Sequence, residues 1–106
     1  GDGIEVTDNG FTWGAQLNIT GNHVHYTGDN GVEVNNVDGA YIYDNYVHDA
    51  GNDGIQVSNS DYAEVIDNEV YDSVDDGIDV DNSDYAAVNG NTVERAGANG
   101  IELTSS

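Results

Sequence analysis

The chain has 106 residues, with 21 acidic side chains against a single Lys or Arg and a formal charge of −20 at neutral pH. That charge opposes binding to nucleic acid or to an anionic membrane surface, and the lack of cysteine removes disulfides and thiol chemistry. No apolar run is long enough to span a bilayer, and the absence of a leader-like stretch and of an initiator Met reads as a processed or excised segment.

The first element is Gly3-Ile4-Glu5-Val6, whose glycine–apolar–polar–apolar order reads as a short strand with two inward residues. Related phrases begin at Gly31, Gly54, Gly77 and Gly100, at intervals of 54−31 = 23, 77−54 = 23 and 100−77 = 23 residues. The first interval, 31−3 = 28, is five residues longer. The surplus falls within residues 9–15, around Phe11 and Trp13. These two aromatics are expected either to fold over the N-terminal end of the stack or to offer a stacking platform for a sugar ring.

A second apolar pattern follows in each repeat: Leu17 and Ile19, Ala40 and Ile42, Ala63 and Val65, Ala86 and Val88. A third begins with asparagine: Asn22-His23-Val24, Asn45-Tyr46-Val47, Asn68-Glu69-Val70 and Asn91-Thr92-Val93. Turns rich in Gly, Asn, Asp and Ser separate them. No segment holds a helical period for a stable length. A fixed period in the low twenties with three strands per unit predicts stacked coils, an all-β parallel β-helix of about four and a half turns. Ile4, Val32, Ile55, Ile78 and Ile101 then form one interior column, with parallel columns from Val6 to Leu103 and from Val24 to Val93. The asparagines are expected to take left-handed turn conformations and to hydrogen-bond between coils. The glycine before each inward strand is expected to serve a tight turn.

The pairing of Asn-x-Val with Gly-Ile-x-Val at this interval resembles the right-handed parallel β-helix of the pectin-lyase-like superfamily, over nearly the whole chain from Gly3 to Leu103. That resemblance implies the fold, while the superfamily hosts lyases, hydrolases, epimerases, tailspikes and adhesive stalks. A narrower similarity is to polygalacturonases. Asn52-Asp53-Gly54-Ile55, followed one coil later by Asp75-Asp76-Gly77-Ile78, is similar to that family's Asn-Thr-Asp-Gly and Asp-Asp motifs, and implies Asp53, Asp75 and Asp76 as catalytic acids. The chain departs from the family at Gly97-Ala98-Asn99-Gly100, where Gly-His-Gly is expected. It also has no Lys, and Arg95 is its sole permanent cation. Pectate lyases and uronan epimerases likewise use a basic residue, which this chain does not supply beyond Arg95.

Two surface arrays follow from stacking. Asp29, Asp53, Asp75 and Asp76 fall on one edge beside Glu5, Glu33, Gln56, Asp79 and Glu102. Like charges in adjacent rungs require a raised pKa, screening or a bound cation. Asp53, Asp76, Asp79 and Asp81 carry the oxygen ligands that calcium prefers, and the alternative is a solvated acidic face. On another face His23 and His25 lie below Tyr46 and His48, then Glu69 and Tyr71. Tyr46, His48 and Tyr71, with Phe11 and Trp13, are the candidate substrate-binding residues for a sugar. His25, His48 and Asp49 are ligand types for a transition metal, against a purely structural ladder.

The sequence therefore predicts one β-helix domain over 1–106, or a fragment of a longer one. Its expected role is a non-catalytic extracellular or cell-surface module, structural or polysaccharide-associated, able to self-associate end to end. The alternative is a polysaccharide lyase, C5-epimerase or hydrolase.

Overall fold

The computed structural model describes residues 1–7 and 17–104, so the expectations placed on residues 9–15, including Phe11 and Trp13, lie outside the described residues. The first coil contains β1 (Ile4–Thr7), β2 (Asn18–Thr20) and β3 (His23–Thr27). The second contains β4 (Val32–Asn35), β5 (Tyr41–Tyr43) and β6 (Tyr46–Ala50), and the third β7 (Ile55–Ser58), β8 (Glu64–Ile66) and β9 (Glu69–Tyr71). The fourth contains β10 (Ile78–Asp81), β11 (Ala87–Asn89) and β12 (Thr92–Glu94), and β13 (Ile101–Leu103) opens a fifth.

Every described pairing is parallel and joins equivalent strands of successive coils. The three sheets run β1-β4-β7-β10-β13, β2-β5-β8-β11 and β3-β6-β9-β12. Register follows the repeat residue for residue: Val32 pairs with Ile55, Ile55 with Ile78, and Ile78 with Ile101. The interior columns are dry in the middle of the stack, where Val34, Ile42, Val47, Ile55, Val57, Val65, Val70 and Ile78 are fully buried. At the C-terminal side Ile101 and Leu103 remain about half exposed, at 46% and 52%.

Asparagine meets one part of the sequence expectation, hydrogen bonding between coils, and departs from the other. Left-handed φ belongs to the residue before it, at Gly21, Asp44, Asp67 and Gly90, with φ between 56° and 66°. The asparagines themselves turn inward. Asn68 Oδ1 accepts from both the backbone N and Nδ2 of Asn45, at 3.0 and 2.9 Å, while Asn68 Nδ2 donates to Ile42 O at 2.9 Å and to Asn91 Oδ1 at 3.0 Å. A side chain with one acceptor and two donors is thereby satisfied inside an apolar column, which is what its burial requires.

The glycines before the inward strands sit at bends, as expected, but not through left-handed backbone. Gly31, Gly54 and Gly77 have no left-handed φ. A Cβ on Gly54 would run into Val70 Cγ1 and stand 2.6 Å from Gly77 O, and a Cβ on Gly77 would meet Val93 Cγ1 and stand 2.7 Å from Gly100 O. Close coil-to-coil approach, rather than backbone freedom, excludes a side chain there. Left-handed backbone appears elsewhere, in the columns Tyr26-Asp49-Asp72-Arg95 and Asn36-Asn59-Asn82, and at Tyr62 and Tyr85.

Candidate metal centre

The position just before each of those glycines holds Asp2, Asn30, Asp53, Asp76 and Asn99. The first four side chains each accept a backbone hydrogen bond from the next coil. Asp2 Oδ1 accepts from Asn30 N at 2.9 Å, Asn30 Oδ1 from Asp53 N at 3.0 Å, Asp53 Oδ1 from Asp76 N at 3.0 Å, and Asp76 Oδ1 from Asn99 N at 2.9 Å. This acceptor role suits Asp and Asn equally, and it explains why the repeat carries one or the other.

The two residue types differ in what else they do. Asn30 Nδ2 donates to Glu33 Oε1 at 2.8 Å and to Gln56 Oε1 at 3.1 Å, so the amide supplies donors to the outward side chains of its own and the next rung. Asp53 and Asp76 hold the equivalent place one and two coils higher, where the adjacent outward residue is Asp79. Neither carboxylate has a donor to give. Asp53, Asp76 and Asp79 are all buried, each offers an oxygen within 4.8 Å of the other two, and Asp79 Oδ1 is buried with no hydrogen-bond partner. Asp79 is 8% exposed, Asp53 3% and Asp76 5%.

Electrostatics follow from that arrangement. Burial pushes the Asp79 carboxyl up to about 7, reinforced by the charges of Asp53, Asp81 and Asp76 and then Glu102. Burial likewise pushes Asp53 up to about 6, against the backbone hydrogen bond from Asp76 and with help from the charges of Asp76, Asp75 and Glu102. Glu102, in register with Asp79, is raised first by repulsion from Asp76 and then by burial. An all-acceptor site of this kind is completed by a proton or by a cation. Three carboxylates offer the hard oxygen ligands that calcium prefers.

Three of the four residues predicted as calcium ligands thus converge. Asp81 is exposed at the end of β10 and is not part of the three-carboxylate group, and its Oδ1 accepts from Thr104 Oγ1. Of the three acids implied by the polygalacturonase similarity, Asp53 and Asp76 belong to the group, while Asp75 is exposed beside it. A second group, Asp2, Glu5 and Glu33, lies on the first coils and is more open to solvent. Asn30 is the residue that sequence reasoning missed. Its amide shows what the aspartates above it lack, and its only signal was the Asn-for-Asp alternation in the repeat.

The aromatic face is assembled on β3, β6 and β9. Tyr46 lies 5.0 Å from His48 and 5.8 Å, edge-on, from Tyr71. Tyr71 Oη donates to Glu69 Oε1 at 2.9 Å, and the Arg95 guanidinium sits 5.6 Å from the Tyr71 ring. Arg95 is also bound bidentately to Asp72, through Nε at 2.6 Å and Nη2 at 3.1 Å, so the single permanent cation is engaged on this sheet. Tyr46, His48 and Tyr71 are therefore brought together as expected from register.

Residues 1–106 match the model of a family described as right handed beta helix region. No curated protein and no solved structure matched the chain. The family match spans every coil, and the three-sheet parallel stack agrees with it. The chain belongs to the right-handed β-helix family, and its fold is consistent with the pectin-lyase-like superfamily.

Proposed function

We propose that the protein is a non-catalytic β-helix module outside the cell, structural and polysaccharide-associated, whose acidic edge takes up calcium. The observation that carries this reading is Asp79 Oδ1, buried without a partner between Asp53 and Asp76. A cation placed there satisfies that oxygen and cancels the repulsion along the edge. Extracellular modules use sites with dissociation constants on the order of 0.1–1 mM, matched to extracellular calcium. A bound divalent cation also gives a chain of charge −20 a means to meet an anionic polysaccharide, with Tyr46 and Tyr71 offering aromatic surface to sugar rings and the imidazole edge of His48 beside them.

Calcium titration by calorimetry, with melting temperature in parallel, tests the reading. Saturable binding and a rise in melting temperature are expected, both lost in Asp79→Asn. An unchanged melting temperature at 10-fold excess over the millimolar range overturns it.

One observation favours the enzymatic alternative. A carboxyl raised to about 6 at Asp53 keeps its proton in mildly acidic solution, as a general acid must. Incubation with polygalacturonate and alginate, with and without calcium, decides between them. New reducing ends or double-bond absorbance, abolished by Asp53→Asn, would replace the non-catalytic reading.

A further inference from the structure

All three histidines of the chain stand on one face of one sheet. His23 and His25 are alternate residues of β3, and His48 is the partner of His25 on β6. Their ring centroids form a near-equilateral triangle of 4.9, 5.1 and 5.2 Å. Within it the direct nitrogen contact is diagonal: His23 Nε2 lies 2.9 Å from His48 Nε2. His25 stacks flat on His48 at an interplanar angle of 7°.

Asp49 defines what this contact can be. Its Oδ2 lies 2.7 Å from His48 Nδ1, and this residue is held in left-handed backbone at φ 59°. A carboxylate on Nδ1 holds the proton there, so His48 Nε2 accepts the hydrogen bond that His23 Nε2–H donates, and a metal held by the two rings takes the place of that proton. The same carboxylate–imidazole arrangement orients metal-ligating histidines and raises their basicity. The spacing is informative as well. Two ligands at about 2.0–2.1 Å from a metal are about 2.9 Å apart when they occupy adjacent corners of a square and about 3.3 Å apart at tetrahedral corners. The 2.9 Å between the two nitrogens is a hydrogen-bond length, and it brings both within reach of one metal ion, with imidazole a suitable ligand for Cu(II), Ni(II) and Zn(II).

We propose that His23 and His48 form a bidentate nitrogen site for a divalent transition metal, with Asp49 as the positioning residue for His48 and the metal bridging the first two coils through β3 and β6. The site is separate from the carboxylate group, which belongs to the sheet of β7 and β10. Its donors are imidazoles where that group offers only oxygens. His25 acts as a stacking partner of His48, not as a ligand of the pair.

Cu(II) is the probe, added to the full chain in the presence of excess calcium to occupy carboxylate sites. The expected result is one tight equivalent whose electron paramagnetic resonance spectrum shows coupling to two equivalent nitrogens. His23→Gln and His48→Gln are each expected to weaken binding at least about tenfold and reduce the coupling to one nitrogen. Asp49→Asn, which keeps the size and the left-handed tolerance of the residue, is expected to weaken it by about 10–100-fold, and His25→Gln by less than about threefold. Circular dichroism confirms that each variant is folded. A wild-type spectrum with oxygen donors alone, or affinity unchanged in the His23→Gln, His48→Gln double variant, overturns the proposal. So does binding that is lost in Asp79→Asn and retained in the histidine variants. The wild-type spectrum decides the matter even where a variant fails to fold.

Discussion

Asp79→Asn is the sharpest perturbation of the acidic edge, because it removes one charge with almost no change in shape. In the native chain Asp79 is raised from 3.8 to about 7, roughly three pKa units at about 1.4 kcal/mol each. Part of that shift comes from neighbours that titrate themselves and from partly screened charges, so about 3 kcal/mol is the working figure. The sign follows from linkage. A carboxyl whose folded pKa exceeds its unfolded value favours folding below about pH 4 and loses that contribution as pH rises through about 7. The calcium-free protein is therefore expected to be more stable near pH 5 than at pH 8 as far as this group is concerned. The asparagine variant should be more stable than the native chain by about 2–3 kcal/mol at pH 8, roughly 10 °C in melting temperature for a domain of this size, and near parity at pH 4.5. Calcium at about 100 times its dissociation constant should then stabilise the native chain by about 2.7 kcal/mol and the variant hardly at all. Urea unfolding at the two pH values, with and without 10 mM calcium, measures all four quantities. A variant no more stable than the native chain at pH 8 without calcium, or equally stabilised by calcium, refutes the argument.

Other outcomes follow from the packing. Gly54→Ala places a methyl group against Val70 and the Gly77 carbonyl and should destabilise by about 2–3 kcal/mol, whereas Gly100→Ala, with Val93 Cγ1 a full 4.0 Å away, should be neutral or slightly stabilising in the same melting assay. Ile55→Ala, fully buried mid-column, should cost about 3–4 kcal/mol in urea unfolding, against less than about 1 kcal/mol for the half-exposed Ile101→Ala. Asn68→Asp replaces two buried donor bonds with an unpaired charge and should cost about 3 kcal/mol or more at pH 8.

The fold was legible because its cause is local and periodic. Gly54-Ile55-Gln56-Val57 and its copies state both the strand and the coil length, and the 23-residue spacing sets register: Ile55 under Ile78, His25 under His48. The columns of like residues, the acidic edge and the aromatic face all follow from that one interval. Conformation at single residues did not. Asparagine's reputation for left-handed turns pointed to Asn45 and Asn68, yet Asp44 and Asp67 take those angles, because only an inward Asn satisfies the buried backbone on both sides. Glycine's freedom suggested a turn at Gly54; the chain bends there without left-handed backbone, and what excludes a side chain is the nearness of Val70 in its own coil and of Gly77 in the next.

The sequence by itself determined the stacking, since a repeating apolar pattern buries its faces only by placing copies over one another. Tertiary structure alone decided which polar groups meet. Whether Asp53, Asp76 and Asp79 enclose an orphaned oxygen, and whether His48 turns to His23 while stacking on His25, depends on side-chain direction and burial across coils. A linear pattern carries the spacing of those residues, but the desolvation that couples them exists only once the coils have closed around the core.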